Sequence, residues 1–549
     1  VPAQTRARDA GNISPPRLLF VIVVDQFRYD FLERFRESFG SRGFRRLLNQ
    51  GAFFTNAHYD YVPTFTACGH AAIFTGSIPA YNGIVGNAWF DRETGRTRIM
   101  VSDDSAHVVR TAGLAREGPP PKEPPGVSPR NLIGTTLGDQ MRLATNLESK
   151  VVAVSFKDRS AILPGGQRPT GAFWFDTETG SFVTSDYYSK ELPRWVDDYN
   201  RSVRPDKYFG ARWELPSNRK GRAAPRSSGG KGFPYIVDGG AEKPGPEFYT
   251  AFQDTPFASE YLAQFAIAAL SGESLGADRT TDLLSVSFSG PDLIGHANGP
   301  DSPEVADTYA RLDRVIAQLL DQIDRRVGLQ NTVVVLTGDH GVAPVPEELQ
   351  ATGFSAARIS SRDLIAAANR ALTARFGDAK WVNALVNDQL YLDRNLIAQR
   401  QIDPSEAERV AGDGALSVAG IVDYFTRSQI LEGRMPGGPI SRRVSHGFNR
   451  LRSGDVWLIT RPFTFVAEGS LRTTHGTAYS YDTHVPIIFC GSGFRPGRYT
   501  TECSPSDIAP TLAALLRIEG PTNAVGRVLP VMAERAGSRS RKSAAPPEH

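Results

Sequence analysis

Five short apolar runs rich in β-branched residues recur along the chain, and their alternation with helix-like stretches constrains the fold more than any other feature. They are PRLLFVIVVD (16–25), KVVAVSFKD (150–158), DLLSVSFSG (282–290), NTVVVLTGD (331–339) and HVPIIFCG (484–491). A strand that is apolar at consecutive positions must be covered on both faces, the condition of a buried parallel strand. The residues between the runs supply that cover. In SPEVADTYARLDRVIAQLLDQI (302–323), Val305, Tyr309, Leu312, Ile316, Leu319 and Ile323 fall on one helical face. FLERFRESFGSRGFRRLLNQG (31–51) carries similar apolar spacing. The expected fold is α/β, a mostly parallel sheet sandwiched by helices.

The chain of 549 residues exceeds the usual reach of one core, so a large domain with insertions is expected. We read 16–533 as a single catalytic domain, with cap segments inserted at about 165–255 and 345–465 over the active face. GPPPKEPPGVSPR (118–130) is a proline-rich excursion, NRKGRAAPRSSGGKGFP (218–234) a basic loop expected to move, and 534–549 a tail expected to be disordered. A formal net charge of +3 gives no electrostatic reason for a nucleic-acid partner. The longest apolar run, Leu18–Val24, is far short of the roughly 20 residues a bilayer span needs. The chain opens on Val1, and VPAQTRARDAGN reads as the start left after a removed segment, so export to a periplasm or the exterior is expected. Of three cysteines, Cys490 and Cys503 could close a short loop in an exported protein or stay free.

Carboxylates and histidines gather where the runs end. Asp25 follows the first run, Asp292 and His296 follow the third in GPDLIGH, Asp339 and His340 follow the fourth, and His475 precedes the last. In an open α/β sheet ligands collect beyond the carboxyl ends of the strands. Three Asp and three His, with no thiolate, form a donor set suited to catalytic zinc, and six ligands divide naturally between two ions. Each residue alone reads equally well as a turn former or a hydrogen-bonded polar tip. The joint pattern is what points to metal.

VVDQFRYD, PTFTACGHAAIFTGSIPAYNGIVGN, SFKDR, GPDLIGH, LTGDHG and THGTAYSYDTHVP run in this order from Val23 to Pro486. With these motifs the sequence resembles the alkaline phosphatase superfamily. The branch is the one with a threonine nucleophile, which includes nucleotide pyrophosphatase/phosphodiesterases and threonine-type alkaline phosphatases. The resemblance implies an alkaline phosphatase-like fold and two Zn2+ ions. One would be held by Asp292, His296 and His475, the other by Asp25, Asp339, His340 and Thr66. It makes Thr66 the nucleophile of a covalent phosphothreonine intermediate, with zinc lowering the pKa of its hydroxyl. A helix starting near Gly69 would add an N-terminus that favours an anion. Thr64 and Thr75 are then local hydroxyls, Cys68 a small buried neighbour, His70 a supporting residue, and His484 a structural alternative to His475.

Within this family the open choice is monoester against diester. A monoester dianion exposes an extra charged oxygen and rewards extra cationic groups, whereas a diester needs room for a second substituent. SFKDR supplies Lys157 and Arg159, expected to alternate at a strand end so that both face one side. In the threonine-type alkaline phosphatases that this sequence resembles, such a pair contacts phosphate together with an asparagine, here Asn87. The expected activity is therefore zinc-dependent hydrolysis of small phosphate monoesters, with a phosphodiesterase or nucleotide pyrophosphatase as the alternative. Phe65 and Trp174 could each pack beside a leaving group or belong to the core.

Overall fold

The computed structural model describes residues 15–114, 126–215, 233–466 and 471–530. Most of the proline-rich segment, most of the basic loop and the tail lie outside the described residues. The main sheet has ten strands: β1 (Leu18–Val24), β2 (Ala52–Phe54), β3 (Val108–Val109), β4 (Val151–Ser155), β5 (Gly171–Asp176), β6 (Ser181–Ser185), β7 (Asp282–Phe288), β8 (Thr332–Gly338), β9 (Ile487–Gly491) and β10 (Gly497–Tyr499). Their order is β10-β2-β9-β8-β1-β7-β4-β5-β6-β3. The five central strands, β8 through β5, are mutually parallel. The strand β9 runs antiparallel to β8. The chain enters β9 from the loop that carries His475, at the carboxyl edge of the parallel strands, so it can only run back.

Strand alternation divides the core in two. Leu18, Phe20, Ile22 and Val24 point into one cluster and Leu19, Val21 and Val23 into the other, all buried. Burying such side chains contributes roughly 1.5–3 kcal/mol each, which explains why β1 has no polar position. Four helices position the site: α1 (Thr66–Thr75), α2 (Arg159–Gly165), α3 (Gly290–Asn298) and α4 (Pro303–Arg326). The last buries the expected face, Val305 through Ile323, and starts at Ser302, whose hydroxyl accepts the Val305 N–H. No described helix is long and apolar enough to cross a membrane.

The two blocks read as insertions differ. Residues 345–465 include a separate four-stranded sheet, in the order Val382–Val386, Gln389–Leu392, Val456–Thr460, Ile421–Thr426. It has a core of its own around Trp381, Leu390 and Leu458. The 165–255 block instead contributes β5 and β6 to the main sheet, and the aromatic run Phe173–Phe175 lies within β5. Trp174 is a buried core residue packed with Ala161 and Val183. Cys490 and Cys503 are free. Cys490 packs against the cluster on one face of the sheet and Cys503 belongs to the cluster on the other, which forbids a bridge.

Candidate active site

Register places the first two carboxylates. Val24 of β1 is paired with Gly338 of β8 and with Phe288 of β7, so Asp25 and Asp339 each stand one residue past aligned ends of adjacent strands. Asp292 belongs to the first turn of α3, and His296 lies one turn further on the same face, its Nε2 3.1 Å from Asp292 Oδ1. The spacing in GPDLIGH is thus a helical i,i+4 pair. Asp25, Asp339, Asp292, His340 and His475 are all buried. Two sets bring one donor atom per residue within 4.8 Å of one another: Asp25, Asp339 and His340, and Asp292, His340 and His475. His340 is common to both, its ring stacked on His475 with centroids 3.5 Å apart, while His296 approaches through Asp292.

The three histidines share one device. His340 Nδ1 lies 2.8 Å from Gly341 O, His475 Nδ1 2.7 Å from Thr64 O, and His296 Nδ1 2.8 Å from Thr473 O. A carbonyl can only accept, so each Nδ1 carries the proton and each Nε2 is turned inward. His340 Nε2 sits 3.2 Å from Asp25 Oδ1 and 3.3 Å from Thr66 Oγ1. Burial lowers the pKa of His340, but Asp339 and Asp25 outweigh it and push it up to about 9. Burial pulls His475 well down, with His340 and His296 adding to the effect. Burial, followed by the charge of Asp25, pushes Asp339 well above the usual carboxylate range. Burial opposes ionisation of Asp292, yet His296 and Lys157 hold it well below that range.

These residues fit metal ions on their own chemistry. Asp25 Oδ1 and Asp339 Oδ2 are buried, and their approach to His340 Nε2, at 3.2 Å and 3.6 Å, falls short of a well-formed hydrogen bond. Such an uncompensated buried charge costs several kcal/mol. Among the described residues Lys157 is the one ammonium bonded to the cluster, with Nζ 2.6 Å from Asp25 Oδ2 and 2.5 Å from Asp292 Oδ2. Ionising all three carboxylates against this one ammonium would leave negative charge that a divalent cation would neutralise, and the inward Nε2 atoms are suited to ligate it.

Thr66 is the first residue of α1, after an extended Phe65 that makes no side-chain cap. The helix starts three residues earlier than the sequence suggests, and Thr66 is therefore not its cap. The helix can press this close because Gly69 has no side chain: a Cβ there would stand 2.1 Å from Asp339 O. Thr75 Oγ1 bonds Ala71 O and Thr64 Oγ1 bonds Thr477 O. The Cys68 thiol donates to Ile84 O, and burial pushes its pKa up, so it stays protonated. His70 ties α1 to β7: Nδ1 is 2.8 Å from Thr66 O and Nε2 2.7 Å from Ser287 Oγ. Phe65 meets the His475 ring edge to face at 5.3 Å. His484 lies apart, stacked between Tyr29 and His58.

The SFKDR pair departs from the expected alternation. The strand ends at Ser155, Lys157 lies in the turn and Arg159 opens α2. Asp158 does not point away as a strand residue; it caps α2, accepting the Arg159 N–H at 2.6 Å. The positive charge of Arg159 is nonetheless felt at both Lys157 and His70, and α2 packs on α1. Asn87 accepts the Ala67 N–H through Oδ1 at 3.0 Å. An N–H can bond only oxygen, so the amide orientation is fixed and Nδ2 is left to donate elsewhere.

Gln26 carries no signal of its own beyond its place beside Asp25. It adopts a left-handed φ of 64°. Its main-chain N–H donates to Asp339 Oδ1 at 3.1 Å and its Nε2 to Asp292 Oδ1 at 2.8 Å. One residue thereby holds a carboxylate from each set.

The sheet order and the cluster at its carboxyl edge define an alkaline phosphatase-like fold. Residues 19–482 match the family model for type I phosphodiesterase / nucleotide pyrophosphatase, and the chain belongs to that family. Among its relatives, alkaline phosphatase PafA of Elizabethkingia meningoseptica is 38% identical over 95% of each chain. Alkaline phosphatase PhoV of Synechococcus elongatus is 36% identical over 94% of this chain and 93% of its own. A crystal structure of a PafA variant, with a threonine changed to serine and an asparagine, a lysine and an arginine changed to alanine, superposes with a TM-score of 0.85. It is 36% identical and covers 95% of this chain and all (100%) of that one.

Proposed function

We propose that this enzyme is a zinc-dependent phosphomonoesterase that acts on small phosphate esters through a phosphothreonine at Thr66 and releases inorganic phosphate. Asp25, Asp339, His340 and Thr66 would hold one zinc ion, and Asp292, His296 and His475 the other. When bound, the ions supply Lewis-acid charge that lowers the pKa of the Thr66 hydroxyl and offsets charge on the phosphoryl group and leaving oxygen. Thr66 Oγ1 attacks phosphorus in line; its bond to phosphorus forms as the bond to the ester oxygen breaks. Water then attacks the phosphothreonine, freeing phosphate and restoring the hydroxyl. His70 and Asn87 keep the first turn of α1 in place through Thr66 O and the Ala67 N–H.

The observation that carries the monoester reading is Lys157, a buried ammonium in contact with a carboxylate of each ligand set. With those carboxylates neutralised by cations, its charge would be available to a phosphoryl oxygen, and the guanidinium of Arg159 and the Nδ2 donors of Asn87 would join it there. A dianionic monoester gains from all three, a monoanionic diester from fewer. The likeness to the alkaline phosphatases PafA and PhoV over nearly the whole chain supports the same choice. In the solved PafA variant the altered residue types are those of Thr66, Asn87, Lys157 and Arg159.

The test is the double substitution Lys157→Ala with Arg159→Ala. It is expected to lower kcat/KM on p-nitrophenyl phosphate by about 10²-fold or more and on bis-p-nitrophenyl phosphate by less than about tenfold. Equal losses on both substrates would remove the basis for monoester selectivity and favour the phosphodiesterase alternative.

A further inference from the structure

We infer that Asn387, at a hairpin tip in the inserted 345–465 block, is a positioning residue for Asn87 and through it for monoester hydrolysis. The inference rests on the reading of Asn87 as a phosphate contact. Asn387 and Asp388 form the two-residue turn between Val382–Val386 and Gln389–Leu392, with φ of 54° and 57°. Asparagine tolerates this left-handed backbone better than most residues, so the turn explains part of its presence. The side chain requires a further reason, because it reaches out of its own sheet. Its Nδ2 donates to Ala88 O at 2.7 Å and, more weakly, to Val85 O at 3.4 Å. These carbonyls flank the Gly86–Asn87 dipeptide on either side.

The approach is close enough to dictate the residue opposite. A Cβ on Gly86 would lie 2.1 Å from Asn387 Nδ2, so the glycine in GIVGN makes room for this amide. A single planar group thus spans the loop that carries Asn87, and Asn87 in turn accepts the N–H of Ala67, beside the nucleophile. The inserted block has other holds on the chain just beyond. Arg92 Nη2 bonds Asp455 Oδ2 at 3.1 Å and the Phe90 ring lies 5.5 Å from Tyr391. These contacts keep the block docked when the Asn387 side chain is removed. What is lost is the fixed path of residues 85–88, and with it the aim of the Asn87 donors. A misplacement of about 1 Å is sufficient to cost a substantial rate factor.

Asn387→Gly keeps the left-handed turn and removes the amide, and Asn387→Asp keeps the shape but faces the carbonyls with an oxygen. Each is to be assayed on p-nitrophenyl phosphate and bis-p-nitrophenyl phosphate, alone and combined with Asn87→Ala, with thermal melting alongside; the glycine variant serves if the aspartate variant does not fold. The expected result is a fall of about tenfold in monoester kcat/KM, little change on the diester, and no further loss in the Asn87→Ala background. Equal losses on the two substrates, or a loss that multiplies with that of Asn87→Ala, would overturn the inference. A null effect of Asn87→Ala alone would instead show that its phosphate contact, the reading underneath, is wrong.

Discussion

Thr66→Ala is expected to lower phosphomonoester turnover by roughly 10³-fold or more, to abolish any trapped phosphoprotein, and to leave the bound metal largely in place. The size follows from losing the hydroxyl proposed to attack phosphorus. The retention of metal follows from the geometry: Thr66 Oγ1 is one contact of His340 Nε2, whereas the carboxylates and imidazoles are fixed independently. Gln26 holds Asp339 and Asp292, and main-chain carbonyls hold the three histidines. Rate measurements, acid-quench phosphate trapping and metal analysis on one preparation read all three. A Thr66→Ala enzyme that retained a phosphorylated intermediate would place the nucleophile elsewhere.

Stripping the metal with a chelator is expected to reduce monoester turnover to about one-thousandth or less, and zinc is expected to restore it. Loss of the cations would leave Lys157 paired with Asp25 and Asp292, the carboxylates it contacts, rather than with a phosphoryl oxygen. The apoenzyme should also melt at a lower temperature, because the buried carboxylates of Asp25, Asp292 and Asp339 would lose the charge of the cations. Turnover that survives complete metal removal would contradict the two-ion reading.

Much of the site was legible because a few rules act strongly. Runs dominated by apolar, β-branched residues identify central strands, and parallel pairing in register turns the residue after each run into a neighbour of the next; Asp25 and Asp339 meet for that reason. The i,i+4 spacing in GPDLIGH likewise brings His296 onto Asp292. The structure departs from the sequence reading where strand ends and sheet pairing decide the outcome. Alternation suggested that Lys157 and Arg159 share a strand face, but the strand ends first and Asp158 caps a helix. The aromatic 165–255 block concealed two strands of the main sheet. The spacing of Cys490 and Cys503 permitted a bridge that the two faces of the sheet forbid. Gln26 acts on carboxylates and Asn387 on main-chain carbonyls that lie hundreds of residues away in the chain, and no local pattern marks either.

The measurement closest to the central claim is the ratio of kcat/KM for p-nitrophenyl phosphate to that for bis-p-nitrophenyl phosphate, determined on the zinc-loaded enzyme. A two-ion site with Thr66 as nucleophile and Lys157, Arg159 and Asn87 around the phosphoryl group is expected to favour the monoester by about 10²-fold or more. A ratio below one, with the diester turned over faster, would contradict it and make this enzyme a phosphodiesterase.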